Sequence, residues 1–171
     1  ELTERRELLN RAIENLQIRA TKAGDLTVHY LELPERLCLC KMIEARDGAH
    51  ALLAIGEFYD ELIGNGIAIS RSWPEFCEYP YEGLLRGEFP VTDFTVTACL
   101  PVDKKNAPSE AVRYPACGAL AVNYRGIYYD LWKAYAALSA YMEQYGYVAC
   151  GYPQEIYLEI GAEGAVQLDD P

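Results

Sequence analysis

Histidine and net positive charge are scarce in this sequence, and each shortage excludes a class of function. There are two histidines, His29 and His50, beside six cysteines. No two cysteines form a C-x-x-C pair, so a zinc site finds neither its thiolate spacing nor its imidazoles. Fifteen Lys and Arg stand against 26 Asp and Glu, a net charge of −11. With no basic patch, this segment is a poor partner for phosphate, and nucleic acid is excluded as its own ligand. An acidic surface suits a cation instead. No apolar run is long enough to span a bilayer as a helix, and no signal-peptide pattern opens the chain. A G-x-S-x-G elbow, an H-E-x-x-H pair and a convincing Cys-His pair are all missing, so the usual hydrolase signatures are absent.

What is present is a chain of 171 residues, 51% apolar, with fourteen tyrosines concentrated after Leu100. That length suits one domain with a sizeable core. Several cysteines, such as Cys99 in FTVTACL, lie inside strand-like runs. They read as buried reduced thiols of a cytoplasmic protein. Tyrosine pairs an apolar face with a polar tip, which serves core edges and drug pockets alike.

Residues 1–24 read as a helix with Leu2, Leu9 and Leu16 seven apart, flanked by Ile13 and Ala20 and stopped at Gly24. The pattern predicts a linker and dimerisation helix ahead of a domain over 25–171. Strands are expected over 26–34, 37–46, 67–73 and 93–102. A helix opening at Gly48 carries Leu52, Ile55, Phe58, Tyr59 and Leu62 on one face. After the polar turn 103–109 come two strands broken near Pro115. A second helix follows, with a stripe of Tyr128, Leu131, Trp132, Tyr135, Leu138, Met142 and Tyr145, and then a strand over 154–160. The order β-β-α-β-β then β-β-α-β predicts a duplicated unit in an α+β fold, its two helices on one face of a mostly antiparallel sheet.

In QEIYLEI, alternation places Glu155, Tyr157 and Glu159 on one face and Ile156, Leu158 and Ile160 on the other, under the helices. Aromatic candidates for a ligand cleft are Trp73, Tyr79, Tyr81, Tyr114, Tyr124 and Tyr157. Leu131, Tyr135 and Leu138 read as core, and Phe58 and Tyr59 as either.

The run from Gly126 to Ile160 resembles the GyrI-like, or AraC-type effector-binding, superfamily. It carries a Gly-x-Tyr helix start at Gly126–Tyr128, a Leu-x-x-Ala-Tyr stripe at Leu131–Tyr135, Gly146-Tyr147, Pro153, and Glu155–Leu158. Tyr152 stands where a Gly-Pro pair is commoner. The resemblance implies two related units flanking a ligand cleft that is open to water when empty. It also implies a role for Glu155 as partner of a hydrophobic cation, with aromatic rings stacking at roughly 0.5–2 kcal/mol per contact. The leading helix resembles the linker of MerR-type multidrug-sensing regulators, which pairs two subunits behind a DNA-reading domain. A chain beginning at Glu1 and not at Met fits a segment of such a regulator. DNA would then be met only through a separate N-terminal domain, with no membrane partner, no metal and no cofactor.

Two other functions are kept open. Some GyrI-like proteins hydrolyse reactive cyclopropane-bearing compounds in the same cleft, where Glu155 would act as acid or base. Some haem carriers share the architecture, with His29 as the one strand histidine able to ligate iron.

The heptad pattern predicts that removing residues 1–24 weakens or abolishes a homodimer. Sedimentation of the full chain and of one starting at Asp25, over a range of concentrations, checks this; equal monomeric masses would refute it.

Overall fold

A computed structural model of the chain describes residues 26–70, 72–88, 90 and 92–157. The leading helix expected over 1–24, and Leu158, Glu159 and Ile160 of the expected last strand, lie outside those residues.

The elements run β1 (Val28–Leu33), β2 (Arg36–Ala45), α1 (Gly48–Gly64), β3 (Phe76–Glu78), β4 (Phe94–Pro101), β5 (Val112–Tyr114), β6 (Cys117–Val122), α2 (Trp132–Tyr145) and β7 (Gln154–Glu155). This is the α+β class expected. Every strand pairing among the described residues is antiparallel. A five-stranded sheet has the order β5-β2-β4-β3-β7, and β1 pairs with β6 in a separate two-stranded sheet. The two outer pairings are reciprocal, since β1 joins β6 while β2 joins β5.

β2 and β4 form the long ladder, from Cys38 opposite Pro101 to Ala45 opposite Phe94. Its alternating side chains serve two faces. Leu39, Ile43, Val96, Ala98 and Leu100 point into the main core, while Cys38 and Cys99 join Trp73 and Phe76 in a second cluster. α1 covers the first face. Asp47 caps it, its Oδ1 accepting from the His50 amide at 2.8 Å, and Gly66 at φ +77° turns the chain away after Asn65. Ala51, Ile55, Phe58 and Tyr59 are its buried residues. The Tyr59 hydroxyl donates to the carbonyls of Phe76 and Cys99. Phe58 and Tyr59 are therefore core.

Three local expectations change. The strand expected over 67–73 is reduced to a bridge between Ile69 and Val102, and the strand forms later, at Phe76–Glu78. Ser70 Oγ takes the Ser72 amide, a local bond that competes with ladder formation. Both helices border the main core: α1 lies on β2 and β4, and α2 packs against the turn at Glu82–Arg86, β6 and β1 and places Tyr135 in the same core as Phe58 and Tyr59. The buried residues of α2 are Ala134 and Tyr135. Trp132 and Tyr145, expected on the buried stripe, are exposed, because α2 meets its supports along a narrower line. Gly146 at φ +72° ends α2, its amide donating to the Met142 carbonyl. Finally, β7 comprises Gln154 and Glu155. Its faces are reversed from expectation: Ile156 packs in the Trp73–Phe76 cluster, and Tyr157 against the main core under the helices. Pairing of Cys77 with Glu155 forces this, because Cys77 belongs to the main core.

Leu100 is fully buried at the centre of the main core. Leu100→Ala is expected to cost about 2–5 kcal/mol, read as a lower urea midpoint at unchanged slope.

Candidate functional site

Four tyrosines converge on the carboxylate of Glu155. β7 carries the carboxylate, and its antiparallel neighbour β3 leads directly into Tyr79. α2 supplies Tyr135 and the turn before it Tyr128. Tyr135 Oη donates to Oε1 at 2.5 Å and Tyr157 Oη to Oε2 at 2.6 Å. Tyr79 and Tyr157 hydroxyls lie 2.7 Å apart, and Tyr128 bonds to Tyr79.

Burial pushes the Glu155 carboxyl above its ordinary range, opposed by the hydroxyls of Tyr135, Tyr157 and Tyr79. The phenols respond in the same direction. Burial and the neighbouring carboxylate raise Tyr79, Tyr135 and Tyr157, and Tyr128 is pushed up to about 12. All four therefore stay neutral donors near neutral pH. The ring is pre-organised, and the carboxylate is enclosed by phenols instead of standing in an open wet cleft. Tyr79 also lines a cavity of about 370 Å³ with Tyr81, Asp93 and Phe94. Asp93 sits at φ +52°, a conformation that Asp tolerates better than most residues.

The other aromatic candidates are placed elsewhere. Trp73 and Tyr114 lie on the opposite sheet face, where, with Phe76, they surround the buried guanidinium of Arg36 at 5.2, 5.5 and 4.7 Å. Arg36 Nη1 donates to Gln154 Oε1 at 3.2 Å, and Gln154 Nε2 to Glu78 Oε2 at 3.2 Å. Those three rings thus already hold a cation of the protein's own. Tyr81 is exposed and bonds to Glu88, and Tyr124 donates to the Ile127 carbonyl. His29 sits on β1 opposite Ala121.

Of the residues proposed from sequence, Glu155, Tyr157 and Tyr79 come together, with Tyr81 on the adjoining cavity. Tyr135 and Tyr128 were missed as site residues. Both fall on the apolar stripe of a helix pattern, and nothing local reveals a hydroxyl partner 20 residues away. Arg36, Glu78 and Gln154 carried no motif.

The fold and site together define an α+β domain whose antiparallel sheet presents a tyrosine-ringed carboxylate beneath a helix. Among solved structures it shares this fold with the EcmrR C-terminal domain, seen in a crystal structure, at TM-score 0.61 and 23% identity, covering 75% of this chain and 82% of that one. A second match is EcmrR in the cryo-EM structure of the EcmrR-DNA complex in EcmrR-RPo, at TM-score 0.63 and 20% identity over 89% of this chain. This chain spans 57% of that longer one. No protein-family model matches the chain, and no curated protein matches it.

A carboxyl whose folded pKa is raised gives stability that is full below its unfolded value, near 4.5, and is lost as pH rises through the folded value. The stability of the wild type relative to Glu155→Gln should therefore fall between about 4.5 and the raised pKa, then level off. Urea denaturation of both proteins across that range tests it, and a gap that does not change with pH refutes desolvation of Glu155.

Proposed function

We propose that this chain is the ligand-sensing, effector-binding domain of a transcription regulator, and that it takes hydrophobic cations at the Glu155 ring and the adjoining Tyr79–Tyr81 cavity. The observation that carries this reading is a carboxylate held by neutral phenols. It offers a charge for the cation and flat faces for its rings in a setting of low dielectric. The chemistry follows from what each group supplies. Tyr135 and Tyr157 keep the carboxylate oriented while the ligand enters, and the acidic domain draws cations toward it. The cavity volume falls in the range of small-molecule sites.

The fold shared with EcmrR, a protein seen bound to DNA, supports placing a DNA-reading domain before this one. Residues 1–24 would pair two subunits, and the protein would work in the cytoplasm without a catalytic step. The reciprocal β1–β6 and β2–β5 pairings support reading the domain as two related units, with the β3–β7 pair between them.

Glu155→Gln keeps size and some hydrogen bonding but loses the charge. Titrations monitored by Trp fluorescence should show cationic dyes losing about 1–3 kcal/mol of affinity, with neutral dyes of similar shape losing much less. The thermal midpoint should hold or rise. Equal loss for cationic and neutral dyes, or none, would overturn the reading. Cation affinity of the wild type should also fall as pH drops through the raised pKa of Glu155.

A further inference from the structure

Cys40 and Cys99 face each other directly across the β2–β4 ladder. Their sulfurs are 3.5 Å apart, and both are free thiols. Directly opposed residues of antiparallel strands have Cα atoms about 4.5 or 5.5 Å apart, and both spacings fall within the range of about 4.4–6.8 Å that a disulfide accepts. With their sulfurs already 3.5 Å apart, the two side chains are within reach of a disulfide.

The two thiols differ in surroundings. Cys99 is fully buried, while Cys40 is partly accessible. The Tyr114 hydroxyl lies 3.4 Å from Cys99 Sγ and 4.0 Å from Cys40 Sγ. The Cys99 thiol, bonded to Cys40, holds Cys40 below the ordinary thiol range against the effect of its burial, and Tyr114 adds to this. Cys99 is driven far upward, first by the same bond and then by burial. Cys38 and Cys77, by contrast, are both pushed up to about 12 by burial. Nucleophilicity therefore gathers on the accessible sulfur of the pair, with a proton donor and a second sulfur beside it.

We propose that Cys40 and Cys99 form a peroxide-modified site, Cys40 as the reacting thiol and Cys99 as the resolving one. The Cys40 thiolate attacks one oxygen of hydrogen peroxide, the O–O bond breaks, and the departing hydroxide takes a proton to leave as water. Cys40 is then a sulfenic acid. Cys99 sulfur attacks Cys40 sulfur, the S–O bond breaks, and hydroxide departs with the Cys99 proton as a second water. Two thiols and one peroxide give one disulfide and two waters. The site does not depend on what occupies the tyrosine ring. It stands on the opposite sheet face, linked toward β7 by the contacts of Tyr114 with Glu78 and of Glu78 with Gln154.

The test uses the full chain carrying Cys117→Ser and Cys150→Ser, which removes the two exposed thiols. Graded hydrogen peroxide should consume two thiols with loss of the mass of two hydrogens. Peptide mapping should find Cys40 joined to Cys99, and a dithiol reductant should reverse the change. Cys40→Ser should abolish the link. Cys99→Ser should leave a sulfenic acid on Cys40 that a cyclic dione captures. If Cys99→Ser does not fold, mapping of the protein retaining both cysteines decides alone. A protein with no Cys40–Cys99 peptide after peroxide, or one joining Cys40 to another cysteine, overturns the proposal.

Discussion

A carboxylate taken out of water must be given donors, or it will not stay charged or the chain will not fold around it. At Glu155 the donors are the phenols of Tyr135, Tyr157 and Tyr79, with Tyr128 bonded to Tyr79 behind them, and the four arrive from separate places in the chain. Tyr157 is two residues away, Tyr135 is on α2, Tyr79 follows β3, and Tyr128 stands in the turn before α2. Holding them together requires the short β3–β7 pairing on one side and the seating of α2 on the other. The site is thus a consequence of two packing contacts, and any change that moves α2 relative to β3 changes the environment of the charge.

The same two-residue strand serves both sheet faces. Glu155 turns toward the tyrosines under α2, and Gln154, its neighbour, turns toward Arg36 and Glu78. On that second face a guanidinium sits among Trp73, Phe76 and Tyr114. The domain therefore contains one aromatic group that holds its own cation and one that surrounds an anionic side chain. Electrostatics separates their roles: the first holds a guanidinium against π faces and the Gln154 side-chain oxygen, whereas the second has a carboxylate held by the neutral hydroxyls of Tyr135, Tyr157 and Tyr79.

Much of the architecture was legible locally. Alternation marked β1, β2 and β4, the 3.6-residue stripe marked α1 and α2, and Gly66 and Gly146 stopped the helices where positive φ was needed. The third strand was misplaced because IAISRSW has strand propensity, while a serine side chain takes one of the amides a strand would use there. The tyrosine stripe of α2 was read too wide. Periodicity says which residues share a helix face, and it does not say how much of that face a neighbour covers.

By itself the sequence determined the α+β class, the acidic charge and the placing of Glu155 and Tyr157 on one side of a strand. These follow from local periodicity and side-chain chemistry. Only the tertiary structure decided which face that side is, and which tyrosines reach it. It also sent Trp73 and Tyr114 to Arg36, and it set Cys40 against Cys99. The physical reason is that strand pairing fixes facing by register, and register joins residues far apart in the chain: Cys77 with Glu155, and Cys40 with Cys99.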